Sequence, residues 1–281
     1  KASLYRFLVC GAILLVPTSL MGATLPVLSK YVSRERACIG QDVGTLYSIN
    51  TFGAVFGALS SAFIFMRIWG VLSTIWFAAA LNILIAAVIY IIFRSDSDTY
   101  SNEEAAQVKR SIEVPSLNSN ILFILLAFGF SGWCALTYQV AWNRILSLLL
   151  GSSIYAFSLI LTTFILGLAI GTAMFSQWVN KFKNPLVVFG FLQIGIGVSS
   201  LAIIPLFENI PFINRWVYQN WNMEFVTIQW SVFLVIFSFL FVPTFLMGGQ
   251  FPVVVRLVVQ KLHTLGHSIG KVYASNTIGT I

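Results

Sequence analysis

LLVPTSLMGATLPVLSKYV, residues 14–32, returns as LFVPTFLMGGQFPVVVRLV, residues 240–258. Farther along, GTLYSINTFG (44–53) returns as GKVYASNTIG (270–279). Both pairs are displaced by 226 residues without a gap, and 16 of the 42 positions in 14–55 are identical to their counterparts. Shared apolar composition does not produce that many matches in a single register, so the chain carries an internal repeat. What lies between the two copies decides how they are oriented.

Around the repeat the chain reads as a series of membrane spans. Hydrophobic residues make up 58% of the 281 residues and charged ones 9%, against about a quarter charged in an ordinary soluble domain. Such a surface needs lipid to cover it. A bilayer core asks for about 20 apolar residues per helix. Seven runs reach that length, at roughly 5–28, 45–68, 71–93, 119–141, 152–177, 184–206 and 227–250, and an eighth begins near Ser268. They are read as helices, because an isolated strand in lipid leaves its backbone groups unpaired. The first run is followed by further spans and shows no small-residue cleavage site, which distinguishes it from a signal peptide. Starting at Lys1 and ending in the apolar SNTIGTI, the sequence is expected to be cut from a longer protein at both ends.

The first copy of the repeat lies on span one and the second on span seven. Six crossings separate them, and an even number preserves direction, so the repeat is parallel with a unit of six helices. Parallel six-helix halves characterise the major facilitator fold. The expected fold is therefore an all-α membrane protein, a polytopic helical bundle with two parallel six-helix repeats, truncated at both ends. On that frame 1–93 closes the first half (helices four to six), 94–118 is the central cytoplasmic linker, and 119–281 holds helices seven to ten and the start of eleven. The linker contains five of the nine carboxylates.

The flanking charges give the orientation. Lys30, Arg34, Arg36, Arg94, Lys109, Arg110, Lys181, Lys183, Arg256, Lys261 and Lys271 fall in alternate connections on one side; Lys1, Arg6, Arg67, Arg144 and Arg215 fall on the other. Eleven against five places the first group in the cytoplasm by the positive-inside rule. The net charge of +7 is thereby explained by membrane orientation, and no nucleic-acid partner is expected. The segment 207–230, with Trp216, Tyr218, Trp221 and Trp230, is expected outside as an interfacial helix or loop.

Candidate positions come from polar or helix-perturbing residues inside apolar runs. Pro17 pairs with Pro243 and Pro26 with Pro252 through the repeat. A proline removes a backbone donor, so each is a hinge, a kink or, for Pro26 and Pro252, a fixed helix terminus. Asn50 and Asn276 also correspond, and an amide in lipid needs an interhelical partner. Gln250 is a further polar position in the second copy. Tyr138, Gln139, Trp142 and Arg144 form the most varied cluster; Arg144 is expected to snorkel to the outer headgroups, with Trp142 anchoring beside it. Gly53, Gly57 and Ser61, like Gly167 and Gly171, recur at the four-residue spacing that lets helices approach closely. Gly195-Ile196-Gly197 follows no strand and is not a dinucleotide loop.

Other chemistries find no footing. Cys10, Cys38 and Cys134 lack disulfide or metal spacing and read as packing thiols. His263 and His267 have no third ligand nearby, so no metal is expected. All nine carboxylates lie outside the expected spans, which argues against a polycation site within them. No catalytic residue or cofactor is expected in the chain.

Three stretches carry a family resemblance: MGATLP with GTLYSINTFGAVFGAL, SGWCALTYQVAWNRILSLLLGSSIYAFSLILTTFILGLAIG (131–171), and MGGQFPVVVRL with GKVYASNTIG. Together they cover about half the chain. They resemble bacterial membrane proteins in which a major-facilitator-like bundle is fused to a spermidine-synthase-like domain. Members of that family usually carry Tyr-Glu where this chain has Tyr138-Gln139. The resemblance implies a multi-pass protein of the bacterial inner membrane. It also implies a soluble aminopropyltransferase-like domain, absent here, following the last helix. The bundle would then anchor or couple to that domain. The alternatives are a secondary transporter of the major facilitator type and a non-catalytic membrane scaffold.

Overall fold

The computed structural model describes residues 2–32, 39–94, 119–150, 153–209, 225–259 and 265–280, with a few positions between 211 and 219. Eight long helices run through them: α1 (Ala2–Val32), α2 (Ile39–Ser60), α3 (Met66–Phe93), α4 (Ser119–Leu150), α5 (Ile154–Trp178), α6 (Pro185–Phe207), α7 (Phe225–Val258) and α8 (Leu265–Thr280). Among the described residues there is no strand. By length and apolar composition, six stretches are able to cross a membrane, as expected of a multi-pass membrane protein. One of them, Ile39–Phe93, is 55 residues long, more than twice what a bilayer needs.

That long stretch folds back on itself. A π-helical turn at Ser61–Phe65 leads out of α2, and Gly70 then adopts φ 77°, ψ 174°, a left-handed conformation open mainly to glycine. A continuous helix would separate Phe65 from Phe77 by about 18 Å along its axis. Their rings lie 5.0 Å apart, with Trp69 packed against both. The two spans expected at 45–68 and 71–93 thus meet in a hairpin turn at Gly70.

The helix ends alternate between two faces of the bundle. Tyr31, closing α1, has its ring 6.1 Å from that of Phe93, closing α3. Near the end of α7, Arg256 donates to the carbonyls of Val179 and Phe182, between α5 and α6. Asn180 donates to Gln41 at the start of α2, 3.3 Å away. A side chain at Gly266, starting α8, would meet the Pro26 carbonyl at 3.5 Å. The ends of α1, α3, α5 and α7 therefore share one face, and α1 and α7 run in the same direction. Arg256 also places positive charge against the carbonyl-rich C-terminus of α5, a favourable pairing with its dipole.

Two apolar clusters hold the bundle. Val43, Val179, Val254, Ile269 and their neighbours fill the face just described. Trp142, Leu146, Ile160, Phe164, Ile203 and Leu240 fill the other half. The outer surfaces of α1 and α3 are apolar and exposed, with Leu72, Trp76 and Ile91 each more than 70% accessible. Contiguous apolar surface on that scale is what lipid contact requires.

Several expectations are corrected. The helices run about four to nine residues beyond some expected spans, because apolar content tracks the bilayer and the helical backbone continues past it. Pro26 and Pro252 are not helix termini, since α1 and α7 continue six residues past each. Trp142 is buried in the second cluster, 4% accessible, and is not an interfacial anchor. A side chain added at Gly53 or Gly57 would meet nothing within 4 Å among the described residues, so these two glycines make no close helix contact there. Trp230 belongs to α7. Cys10 and Cys134 are exposed and so do not pack inside. Cys38, His263, Tyr218, Trp221 and the 94–118 linker, apart from Arg94, lie outside the described residues.

Candidate functional site: a polar stripe on α4

Ser131, Ala135, Gln139 and Asn143 recur every four residues along α4, so each lies beside the next in a stripe that winds about 40° per step around the helix. Over about 18 Å of axis the stripe presents a hydroxyl and two carboxamides to the bundle. Buried polar groups of this kind need partners, and the structure supplies only some of them.

At one end Ser131 is buried and donates its hydroxyl to Gln250 Oε1 of α7, 2.6 Å away. Gln193 Oε1 of α6 stands 3.3 Å from the same hydroxyl. One hydroxyl carries one proton, so Gln193 is satisfied when its amide nitrogen turns toward Ser131. The Gln250 Nε2 is buried and has no partner among the described residues. It borders a cavity of about 170 Å³ lined also by Tyr47 of α2, Gln139, and Tyr273 and Asn276 of α8. Tyr47 and Tyr273 are counterparts in the repeat.

Farther along α4 a second cavity, of about 190 Å³, is lined by Gln139, Asn143, Trp142, Phe164 and Leu240. Asn143 Oδ1 is buried there and has no partner among the described residues. Gln139 borders both cavities. One unpaired donor and one unpaired acceptor thus stand in neighbouring cavities, and each cavity has room for several waters.

Close helix contacts hold the stripe in place. On α5, a side chain at Gly167 would fall 2.7 Å from Thr244 Cβ, and one at Gly171 would fall 2.8 Å from the carbonyl carbon of Phe245. Gly248 of α7 lies against Leu168 in the same way. These glycines bring α5 and α7 together, as the four-residue spacing on α5 predicts. On the far side, Gly132 of α4 lies against Asn276 and Gly129 against Gly279 of α8, while Ser275 donates to the Leu125 carbonyl at 2.6 Å.

The remaining candidate residues separate into two groups. Tyr138 is half-buried and stacks on Trp142, centroids 5.3 Å apart. Pro243 and Pro252 are buried in α7, Pro26 is half-buried and Pro17 is exposed on α1. Asn50 is exposed, whereas Asn276 is half-buried. Arg144 is exposed six residues before the end of α4. Gln139, Gln250 and Asn276 therefore meet at the cavity, and Pro17, Asn50 and Arg144 stand away from it. Ser131, Gln193, Asn143, Tyr47 and Tyr273 were not among the candidates. The available signal was polar side chains in apolar runs for the first three and the repeat for the two tyrosines.

No family model matches the chain, and no curated protein or solved structure matches it.

Proposed function

We propose that this chain is the membrane domain of a two-unit, major-facilitator-like protein that binds a small, uncharged polar solute along α4. The observation that carries the reading is the stripe of Ser131, Gln139 and Asn143 beside two cavities, with the unpaired Gln250 amide facing it from α7. Amide and hydroxyl groups offer both donors and acceptors and no net charge. That chemistry suits a polyol or a small amide. A polyamine would need carboxylates, and none lines either cavity among the described residues. The sequence repeat and the shared direction of α1 and α7 support two units related by an axis along the membrane normal.

Melting of the purified protein against glycerol, urea and spermidine tests the proposal. A neutral solute raises the melting temperature in the wild type and not in Gln139→Leu. Stabilisation by spermidine alone would contradict it.

A second reading rests on the motif likeness of residues 131–171: the bundle serves a soluble aminopropyltransferase-like domain of the same polypeptide in a bacterial inner membrane. Aminopropyl transfer by the full-length polypeptide is its test.

A further inference from the structure

A larger groove opens on the face of the bundle away from Arg256 and Tyr31. It lies between the last turns of α2, the π-helical turn after it, and the first halves of α5 and α7. Its volume is about 660 Å³, within the roughly 300–1,000 Å³ typical of ligand pockets. The walls are aromatic and aliphatic, including Phe56, Phe63, Phe233 and Leu166, with Trp230 also in the lining. The π-helical turn adds a residue to the helical repeat at Ser61–Phe65, and such insertions are frequent at functional sites. Three polar residues line the groove, and one of them, Ser60, donates its hydroxyl to the Phe56 carbonyl of its own helix at 2.7 Å. Arg67, also in the lining, is exposed. Thr162, fully buried, contributes a hydroxyl with no partner among the described residues.

We propose that this groove binds an anionic phospholipid, its acyl chain along the aromatic wall and its phosphodiester on Arg67. The chemistry of the lining selects that occupant. Helices dock in membranes through small residues that let backbones approach, and this wall is mostly rings and branched aliphatic side chains. A free anion would leave the apolar walls uncovered. A flexible chain with an anionic head matches both the apolar walls and the positive charge of Arg67, whose long stem can reach headgroup level. The site is separate from the α4 cavities and does not depend on a solute there.

The test is native mass spectrometry of delipidated protein titrated with phosphatidylglycerol or phosphatidylcholine. One cationic side chain near a membrane surface contributes about 1 kcal/mol toward anionic lipid, equivalent to about a fivefold preference. The wild type is expected to retain phosphatidylglycerol about fivefold better. Arg67→Gln abolishes the preference and Arg67→Lys keeps it. Lipid-free melting of both variants is measured alongside, which separates a change in the fold from a change in lipid preference. Leu166→Trp narrows the groove and lowers retention of both lipids. Equal retention of the two lipids by the wild type would overturn the proposal, as would a preference that survives Arg67→Gln.

Discussion

Thr172 on α5 donates its hydroxyl to the carbonyl of Gly248 on α7 at 2.8 Å, and that carbonyl is the one Pro252 leaves without its helical donor. Proline at position i removes the hydrogen bond to the carbonyl at i−4. Neighbouring Ser and Thr side chains are a known remedy in membrane helices. The proline, the glycine and the threonine thus form one unit: the first frees an acceptor, the second admits α5, and the third supplies the proton.

The unit predicts coupling between distant positions. Thr172→Val should cost about 0.6–1.7 kcal/mol, the range measured for interhelical bonds in a membrane protein. In a Pro252→Ala background, where the helix regains its own donor, the same change should cost less. A double-mutant cycle by unfolding in mixed micelles measures the difference. Strict additivity would show that the freed carbonyl is not what Thr172 serves.

The glycine contacts predict an asymmetry. Gly171→Ala drives a methyl into the Phe245 backbone and should destabilise by about 1–3 kcal/mol, the usual cost of overpacking. Gly57→Ala meets open space and should be neutral or up to about 1 kcal/mol stabilising through helix propensity. Equal effects at the two sites would show that α5 and α7 are not in the close contact described.

The two repeat-related asparagines should differ in the same way. Asn276→Leu places a branched side chain against Gly132 and should lower the melting temperature. Asn50→Leu, on an exposed face, should leave it within a degree or two (about 0.5 kcal/mol or less for an exposed site). Similar losses at both would mean that Asn50 has a helix partner.

That pair shows how far the sequence was readable. Hydropathy located the eight helical segments, and glycine at 70 coincides with the expected break between spans two and three. The repeat established that 50 and 276 occupy equivalent positions along their helices. It could not establish equivalent surroundings, because those depend on which helix packs alongside: α8 has α4 against Asn276, and no described helix covers Asn50. The same limit affected Gly53 and Gly57, whose spacing is that of Gly167 and Gly171. Gln139 and Gln250 were visible as polar residues in apolar runs. Their meeting with Ser131, Gln193 and Asn143 depends on three helices whose relative rotation no single-helix pattern encodes. Trp142 misled for a related reason, since Trp favours both interfaces and cores.

Gln250 gives a prediction that separates binding from stability. Replacing it by Leu removes one hydrogen bond to Ser131 but also removes a buried, unpaired amide donor, whose burial costs about 1–3 kcal/mol. Gln250→Leu should therefore melt at or above the wild-type temperature while losing any stabilisation by a neutral solute. Reduced stability with solute response intact would contradict the role given to this amide.

The central claim is a membrane bundle whose connections alternate between two faces, the Lys- and Arg-rich one in the cytoplasm. Its most direct measurement is labelling of single cysteines in vesicles of known orientation, after Cys10, Cys38 and Cys134 are replaced by Ala. Lys183→Cys, between α5 and α6, and Asn209→Cys, just past the end of α6, stand at opposite ends of one helix. A membrane-impermeant maleimide should label Lys183→Cys only from the cytoplasmic side and Asn209→Cys only from the opposite side. Labelling of both from the same side would contradict the account.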